Sequence, residues 1–357
     1  MNLFGAALSA LHYTKVDRLL APVTRGQGVI FMLHHVRPGQ PEEFEPNRIL
    51  AVTPEFLESV IAHVKAEGFD FVSLDEAASR LGDVKNQRPF ACFTLDDGYR
   101  DNASFAYPIF KRHGVPFTIY VPSAFADGDG DLWWLTLEAA IARATKITLD
   151  MSGTERTFVT DTVAAKTAAF EKIYWWLRTL PERQARQVVA KLAAAQGYYP
   201  SQRCRELVMS WDELRALAAD PLVTIGGHTV HHFALAKLSE AEARDEIRCG
   251  VKRIEQELSV TCRHFSFPYG DEGSAGEREF RLAKEIGLLT AVTTRKGLLH
   301  RAHASSLTAL PRLSLNGDFQ DIRYIKVMLS GVPFALWNGV SQLRALLKRA
   351  GQTLPSG

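Results

Sequence analysis

Cysteine and net charge are both scarce in this sequence. Only four cysteines occur among 357 residues, and no two have the C-x-x-C spacing of a zinc ribbon or redox pair. A chain of this length does not need a disulfide framework, so we expect reduced thiols. The 42 basic and 40 acidic side chains leave a net charge of +2. Because nucleic-acid-binding domains carry a strong basic excess, we expect no nucleic-acid partner.

Long apolar runs and a targeting segment are also missing. No stretch reaches the about 20 uncharged apolar residues that a membrane-spanning helix needs. The mildly apolar N-terminus lacks a basic region, and Lys15, Asp17 and Arg18 interrupt it too early for a signal peptide. We therefore expect a cytoplasmic protein without a signal peptide.

Short apolar runs instead alternate with helical segments. Apolar side chains make up 46% and charged ones 23% of the chain, as in ordinary globular proteins. The apolar runs predict strands at residues 28–33, 90–95, 117–121, 223–225, 264–267 and 288–293. Between them lie helix start signals at Thr53-Pro54 and Ser-x-x-Glu capping boxes beginning at Ser73, Ser239 and Ser274. This alternation predicts an α/β protein with a parallel sheet covered by helices.

Residues 127–220 interrupt the alternation. We interpret them as a helical insertion in a strand-to-helix loop, on the side of an α/β barrel where active sites lie. The alternative is a second independent domain, since the length of the chain fits two domains or one barrel with insertions.

Two adjacent carboxylates leave one predicted strand together. Asp96 and Asp97 follow the 90–95 strand, and Gly98 permits a sharp turn after them. By itself such a pair is either a solvated helix start or part of a functional site.

Three histidines after the 223–225 strand predict a metal site. His228 and His232 are four residues apart, so on a helical turn they share one face, whereas His231 points away. With one Asp they supply three ligands and leave a fourth position for water, as in catalytic zinc sites. A Pro-Tyr-Gly turn at residues 268–270 follows another strand and offers an exposed backbone amide.

Taken in order, these motifs resemble the polysaccharide deacetylase family, a chitin deacetylase-like group of carbohydrate esterases, over residues 28–315. The resemblance implies a distorted (β/α) barrel that removes N-acetyl groups from an amino-sugar-containing polysaccharide, oligosaccharide or lipid-linked glycan. It also implies one divalent metal, Zn²⁺ or otherwise Co²⁺ or Ni²⁺. The motifs are Leu95-Asp96-Asp97-Gly98, His228-Thr-x-x-His232 and Phe265-x-x-Pro268-Tyr269-Gly270.

The resemblance also implies roles for single residues. Asp97, His228 and His232 correspond to the metal ligands. Asp96 corresponds to the general base, and the backbone amide of Tyr269 to a donor that holds the oxyanion.

Two features depart from the family pattern. Many members have an arginine before the third motif that braces the base, but this sequence has Ser266 there, and Arg312 is the candidate replacement. The late Leu-x-His motif, source of the general acid, is matched only by the string that ends in His300 among basic loop residues.

The general acid is therefore either His34 or His300. His34 ends a predicted buried strand and resembles the acid of a circularly permuted branch, in which this strand begins the barrel. We predict that His34, as imidazolium, protonates the leaving amine.

The predicted organisation is a barrel over residues 1–320, with the insertion at about 127–220, and a helical extension over 321–357. The extension is apolar and basic, which fits either packing on the barrel or peripheral contact with an inner membrane. In the insertion, Trp133 and Trp134 suit either a sugar ring or an anchor to the barrel. Nothing in the sequence specifies an oligomeric state.

Two other functions fit the same motifs. One is a deformylase or another amidohydrolase acting on a lipid-linked amino sugar. The other is a non-catalytic glycan-binding relative, against which the intact Asp96, Asp97 and the two spaced histidines argue.

Overall fold

The apolar runs form parallel strands in the computed structural model, which describes residues 3–39, 42–83, 88–198 and 200–337. The first, fifth and sixth strands begin and end at the predicted residues, because each is a mainly apolar run bounded by polar or turn-forming residues. The strands are β1 (Gly28–Leu33), β2 (His35–Val36), β3 (Ala51–Val52), β4 (Asp70–Phe71), β5 (Phe90–Leu95), β6 (Phe117–Val121), β7 (Lys146–Asp150), β8 (Glu155–Val159), β9 (Val223–Gly227), β10 (His264–Ser266), β11 (Thr290–Lys296) and β12 (Leu310–Ser314).

Seven of these strands close into a barrel. The order around it is β1, β5, β6, β9, β10, β11 and β12, and all neighbouring pairs are parallel. β1 closes the ring by pairing with β5 along its whole length, from Gly28 opposite Phe90 to Leu33 opposite Leu95. Every residue of β1 and β5 is buried, because the barrel interior lies on one side and helices cover the other. The predicted α/β barrel is confirmed.

Helices cover the barrel and begin largely where the capping signals predict. Thr53 caps the third helix by accepting a hydrogen bond from the Phe56 N–H. The helices are α1 (Leu3–Thr14), α2 (Val16–Thr24), α3 (Pro54–Ala66), α4 (Leu74–Gly82), α5 (Tyr107–His113), α6 (Ser123–Ala126), α7 (Trp133–Arg143), α8 (Val163–Leu177), α9 (Glu182–Ala195), α10 (Pro200–Leu207), α11 (Trp211–Ala218), α12 (Glu240–Leu258), α13 (Glu277–Ile286) and α14 (Ile322–Leu329).

The cap predicted at Ser274 is wrong. α13 begins at Glu277, and Glu279 accepts a hydrogen bond from the Gly276 N–H at 2.8 Å. The Ser274 hydroxyl is used elsewhere, since it donates to Asp271 at 2.8 Å and accepts from Arg178 at 2.9 Å. The helix therefore starts two residues later than the sequence pattern predicts.

Residues 127–220 contain α7 to α11 and a two-stranded antiparallel hairpin of β7 and β8, which the prediction of a purely helical segment misses. Of the hairpin's strand residues only Ile147 is buried, so no apolar run marks it in the sequence. Buried side chains of this segment, such as Ile173 and Val189, share a hydrophobic cluster with Tyr99 and Phe125. Because these two aromatic residues follow the carboxyl ends of β5 and β6, the segment packs over that end of the barrel.

The first and last described helices pack together on the outside of the barrel. α1 and α3 both contact α14, and residues 332–337 are helical again. The part of the predicted extension beyond residue 337 lies outside the described residues. Within the described ranges, no helix is long and apolar enough to cross a membrane. All four cysteines are free thiols.

Candidate metal centre

An aspartate and two histidines meet at the carboxyl ends of β5 and β9. The Asp97 Oδ1 lies 3.6 Å from His228 Nε2 and 3.3 Å from His232 Nε2. All three ligand atoms lie within 4.8 Å of one another, and all three side chains are buried. In a tetrahedral zinc site with bonds of about 2.0–2.1 Å, neighbouring ligand atoms are about 3.4 Å apart. The spacing of the three side chains therefore fits one metal ion.

The environment of these side chains also fits a cation. Among the described residues, Asp97 Oδ1 is buried without a hydrogen-bond partner. Burial, reinforced by the neighbouring Asp96 charge, raises the pKa of Asp97 well above its ordinary value. A buried carboxylate without a partner is costly unless a positive charge compensates it. A metal ion at this position supplies that charge.

Both histidines present Nε2 to Asp97, but only the ring of His228 is oriented by a hydrogen bond, since His232 Nδ1 is buried without a partner among the described residues. His228 Nδ1 lies 2.5 Å from the Ser266 carbonyl oxygen. Because a carbonyl only accepts, Nδ1 carries the proton and Nε2 offers its lone pair toward Asp97. Burial lowers the pKa of His228 and, more strongly, that of His232, so both rings are neutral at neutral pH. Neutral imidazole is the form that binds metals.

The two histidines do not share a helical turn, and this part of the prediction is wrong. Residues 228–232 form a loop in which Thr229 and His232 have φ values of 66° and 58°. The His232 N–H donates to Thr229 Oγ1 at 2.8 Å, which folds the loop back on itself. His231 points away, as predicted, and its Nδ1 lies 2.6 Å from Glu246.

Backbone strain is concentrated at this site. Seven non-glycine residues of the described chain have positive φ, and four of them are Asp97, Thr229, His232 and Tyr269. Such conformations are uncommon outside glycine and persist only where surrounding contacts hold them. The clustering therefore marks the strand ends as the functional part of the barrel.

A buried ion pair holds the second carboxylate. Two nitrogens of Arg312 donate to the two oxygens of Asp96 at 2.8 and 2.7 Å. Burial favours a raised pKa for Asp96, but the charge and hydrogen bonds of Arg312 outweigh it and lower the pKa to about 2. Arg312 thus contacts Asp96 from β12, whereas a serine, Ser266, stands before the third motif. Its other donors reach Thr293 O, Thr94 Oγ1 and Ser266 Oγ.

The third motif supplies a free backbone N–H. Tyr269 and Gly270 both have positive φ, of 61° and 59°, and a Cβ at residue 270 would lie 2.5 Å from the Thr294 nitrogen. Glycine is therefore required at that position. In the described part of the chain, the Tyr269 N–H donates no hydrogen bond, whereas its carbonyl accepts one from Thr294 Oγ1 at 2.5 Å. This leaves the amide available to a ligand.

The two candidate acids lie at opposite ends of the barrel. His34 directly follows the carboxyl end of β1, and its carbonyl oxygen accepts from Asn102 at 2.7 Å. His300 is exposed and follows Leu299, whose N–H donates to the carbonyl of Gly28 at the amino end of β1. Only His34 is therefore on the side of the metal centre.

The charge state of His34 differs from the prediction. Burial lowers its pKa to about 4, although the Asp96 charge opposes the shift. The imidazole is therefore neutral at neutral pH, rather than the resident imidazolium that the sequence analysis predicts.

Residues 127–220 hold the strand-end loops through contacts that the sequence analysis missed. Arg186 of α9 donates to the carbonyls of His231 and His232 at 3.3 and 3.1 Å and pairs with the buried Glu182 at 2.7 Å. The Arg178 guanidinium lies 3.7 Å from the centroid of the Tyr269 ring. The local sequence around these two arginines carries no signal for such contacts.

Two tryptophans of this segment act as anchors. Trp133 and Trp134 are only 2% and 5% exposed, which leaves neither ring face open to a sugar. The Trp133 Nε1 donates to the Tyr269 hydroxyl at 2.7 Å. Of the two interpretations of these residues, the structure supports packing against the barrel.

Comparison with known proteins identifies a family. A family model for polysaccharide deacetylase matches residues 83–290, which is more than half of the chain. No curated protein matches the sequence.

Solved structures share the fold at low sequence identity. Streptococcus pyogenes deacetylase PplD, in complex with acetate, has a TM-score of 0.56 and 16% identity over 85% of this chain and 99% of its own. IcaB from Ammonifex degensii has a TM-score of 0.52 and 15% identity over 86% and 97% of the two chains. A de-N-acetylase from Aggregatibacter actinomycetemcomitans has a TM-score of 0.52 and 14% identity over 84% and 99%. At such identities the likeness establishes the fold alone.

The adjacent carboxylates should have opposite effects on the stability of the metal-free protein. Because the pKa of Asp97 is raised in the folded state, the free energy of unfolding falls as pH rises from about 4 toward that pKa. Asp97→Asn has no ionisable group there and should therefore raise the free energy of unfolding at neutral pH. Asp96→Asn leaves the Arg312 charge buried and unpaired, which should destabilise the fold by about 3–5 kcal/mol. Thermal unfolding at neutral pH in a chelator measures both effects. A shift in the same direction for the two variants would contradict this account.

Removing Arg186 should weaken metal binding without touching a ligand. Loss of groups that orient metal ligands typically costs about 10–100-fold in affinity, which we expect for Arg186→Ala in a chelator competition assay. Arg183→Ala is the matched control, because Arg183 lies on the same helix and, like Arg186, over the Phe233 ring, but is 71% exposed and pairs with Glu242 at 3.8 Å. The double variant Glu182→Gln/Arg186→Leu removes the buried pair together and should fold normally yet bind metal weakly. Equal affinities for Arg186→Ala and Arg183→Ala would rule out this role.

Proposed function

The chain belongs to the polysaccharide deacetylase family, and we propose that it removes N-acetyl groups from an amino-sugar-containing glycan with a zinc ion held by Asp97, His228 and His232. The observation that carries the proposal is the fit of these three side chains to one metal ion. Within the described residues they form the one group of three His, Cys, Asp or Glu side chains close enough to share an ion. Three protein ligands leave a coordination position open, which is typical of catalytic sites.

The metal and the Asp96 carboxylate have different roles in the proposed reaction. When bound, a divalent metal acts as a Lewis acid toward the amide carbonyl and makes water more acidic. Asp96 is the general base of the proposal, since it remains ionised and both of its oxygens are held by Arg312. Its low pKa means that a proton taken from the attacking water is not retained but passed on.

Two further groups complete the reaction. The free N–H of Tyr269 stabilises the negative charge that develops on the carbonyl oxygen. His34 delivers a proton to the leaving nitrogen as the carbon–nitrogen bond breaks, so that acetate and a free amine result. Because the pKa of His34 is about 4, it does not store this proton beforehand. It receives the proton during the reaction from Asp96, which took it from the attacking water.

The function can be tested by measuring which acid is released. We expect the zinc-loaded protein to release acetate from N-acetylated glucosamine oligomers, and His232→Ala and a chelator to abolish the release. His231→Ala is the matched control, because His231 is a neighbour that is half exposed and bonded to Glu246. Faster formate release from N-formylated oligomers would assign a deformylase instead. Zinc binding without turnover of either substrate would assign a glycan-binding protein.

The role of His34 can be separated from that of His300 by the leaving group. An amine leaves only when it is protonated, so His34→Ala should slow amide hydrolysis about 10²-fold or more. An activated ester needs no such proton and should be hydrolysed at nearly the rate of the unmodified protein. His300→Ala should leave both substrates unaffected, since His300 lies at the other end of the barrel. Loss of amide hydrolysis in His300→Ala, with His34→Ala fully active, would reverse the assignment.

A further inference from the structure

Exposed apolar side chains are concentrated at the two ends of the described chain. Among the residues that the structure describes, twelve large apolar side chains are exposed, and six of them belong to residues 13–23 and 336–337. Leu19 and Val23 of α2 are 77% and 80% exposed, and Trp337 is 72% exposed. Single exposed apolar residues need no explanation, but a cluster marks an interaction site.

The two segments are held next to each other. The Thr24 hydroxyl at the end of α2 donates to the Ser330 carbonyl at 2.6 Å. The two backbones approach so closely that a Cβ at Gly331 would lie 2.0 Å from the Thr24 carbonyl oxygen. We call the exposed residues of α2 and of the helical residues 332–337 the terminal face.

Positive charge borders the terminal face. Arg18 and Lys326 line a cavity of about 530 Å³ between α2, α3 and α14. Of the acidic side chains there, Asp17 is buried and Glu67 is paired with Arg25 at 3.0 Å. The side chains that remain free to contact a partner at this border, Arg18 and Lys326, are therefore positively charged.

We propose that the terminal face binds the surface of an anionic lipid bilayer. Leucine, valine and tryptophan side chains within a basic border match the acyl boundary and the negative head groups of such a surface. The described residues 322–337 share the basic character, since they contain Arg323 and Lys326 and no Asp or Glu. A second copy of the chain would bring one cationic border against another, which repulsion disfavours.

The position of the terminal face orients the barrel. α2 ends four residues before β1 begins, so the face lies at the amino end of the barrel. The metal centre lies at the carboxyl ends, about 20 Å away along the six residues of β1. When the terminal face is docked, the metal centre therefore faces away from the lipid. Lipid binding can be tested without measuring the reaction.

Vesicle co-sedimentation of the full chain tests this proposal. We expect binding to vesicles of phosphatidylglycerol and phosphatidylcholine that weakens with added salt, and little binding to phosphatidylcholine alone. Leu19→Glu/Val23→Glu should reduce binding at least about tenfold. Val159→Glu/Val163→Glu is the matched control, since these exposed valines lie in the segment over the opposite end. Unchanged metal content in both variants verifies that they fold.

Several results would overturn the proposal. One is that the unmodified protein does not bind anionic vesicles. Another is that the two double variants lose binding to the same extent. If Leu19→Glu/Val23→Glu instead converts a dimer into a monomer in analytical ultracentrifugation, and no vesicle binding occurs, the face belongs to a second copy of the chain.

Discussion

The buried guanidinium of Arg312 is the constraint on which the barrel and its site both depend. One side chain on β12 reaches acceptors on or next to β5, β10 and β11, which lie on both sides of it around the ring. A charge in this position is tolerable only when all of its donors are satisfied. The strands must therefore keep their register for the charge to be stable, and the same contacts fix the orientation of the Asp96 carboxylate.

Asp96 and Asp97, which follow β5 directly, consequently lie in contrasting electrostatic environments. Asp96 lies on the side of the guanidinium and is ionised, whereas Asp97 faces two neutral imidazoles and has no cation of its own. The left-handed conformations of Asp97 and Gly98 turn the chain so that consecutive side chains diverge. Separation of a proton-accepting carboxylate from a metal-binding one is achieved by one turn of the backbone.

Much of the fold could be predicted because burial leaves a strong mark on sequence. β1, β5 and β6 are mainly apolar runs, and the Asp and His motifs follow their strands directly. The hairpin of β7 and β8 could not be found, since its strands are polar and mostly exposed. The loop of residues 228–232 adopts left-handed conformations that depend on Thr229 and on Arg186, a partner distant in sequence. Local patterns contain no information about such partners.

The contacts of Arg178 and Arg186 have a consequence for protein engineering. Residues 127–220 would ordinarily be regarded as an exchangeable module that could be transplanted between related barrels to alter substrate range. Here the same helices supply the hydrogen bonds that shape the loop of His232 and the ring contact that holds Tyr269. A chimera that exchanges this module must carry equivalent arginines at both positions, because otherwise the recipient barrel loses the geometry of its metal-binding loop together with its old specificity.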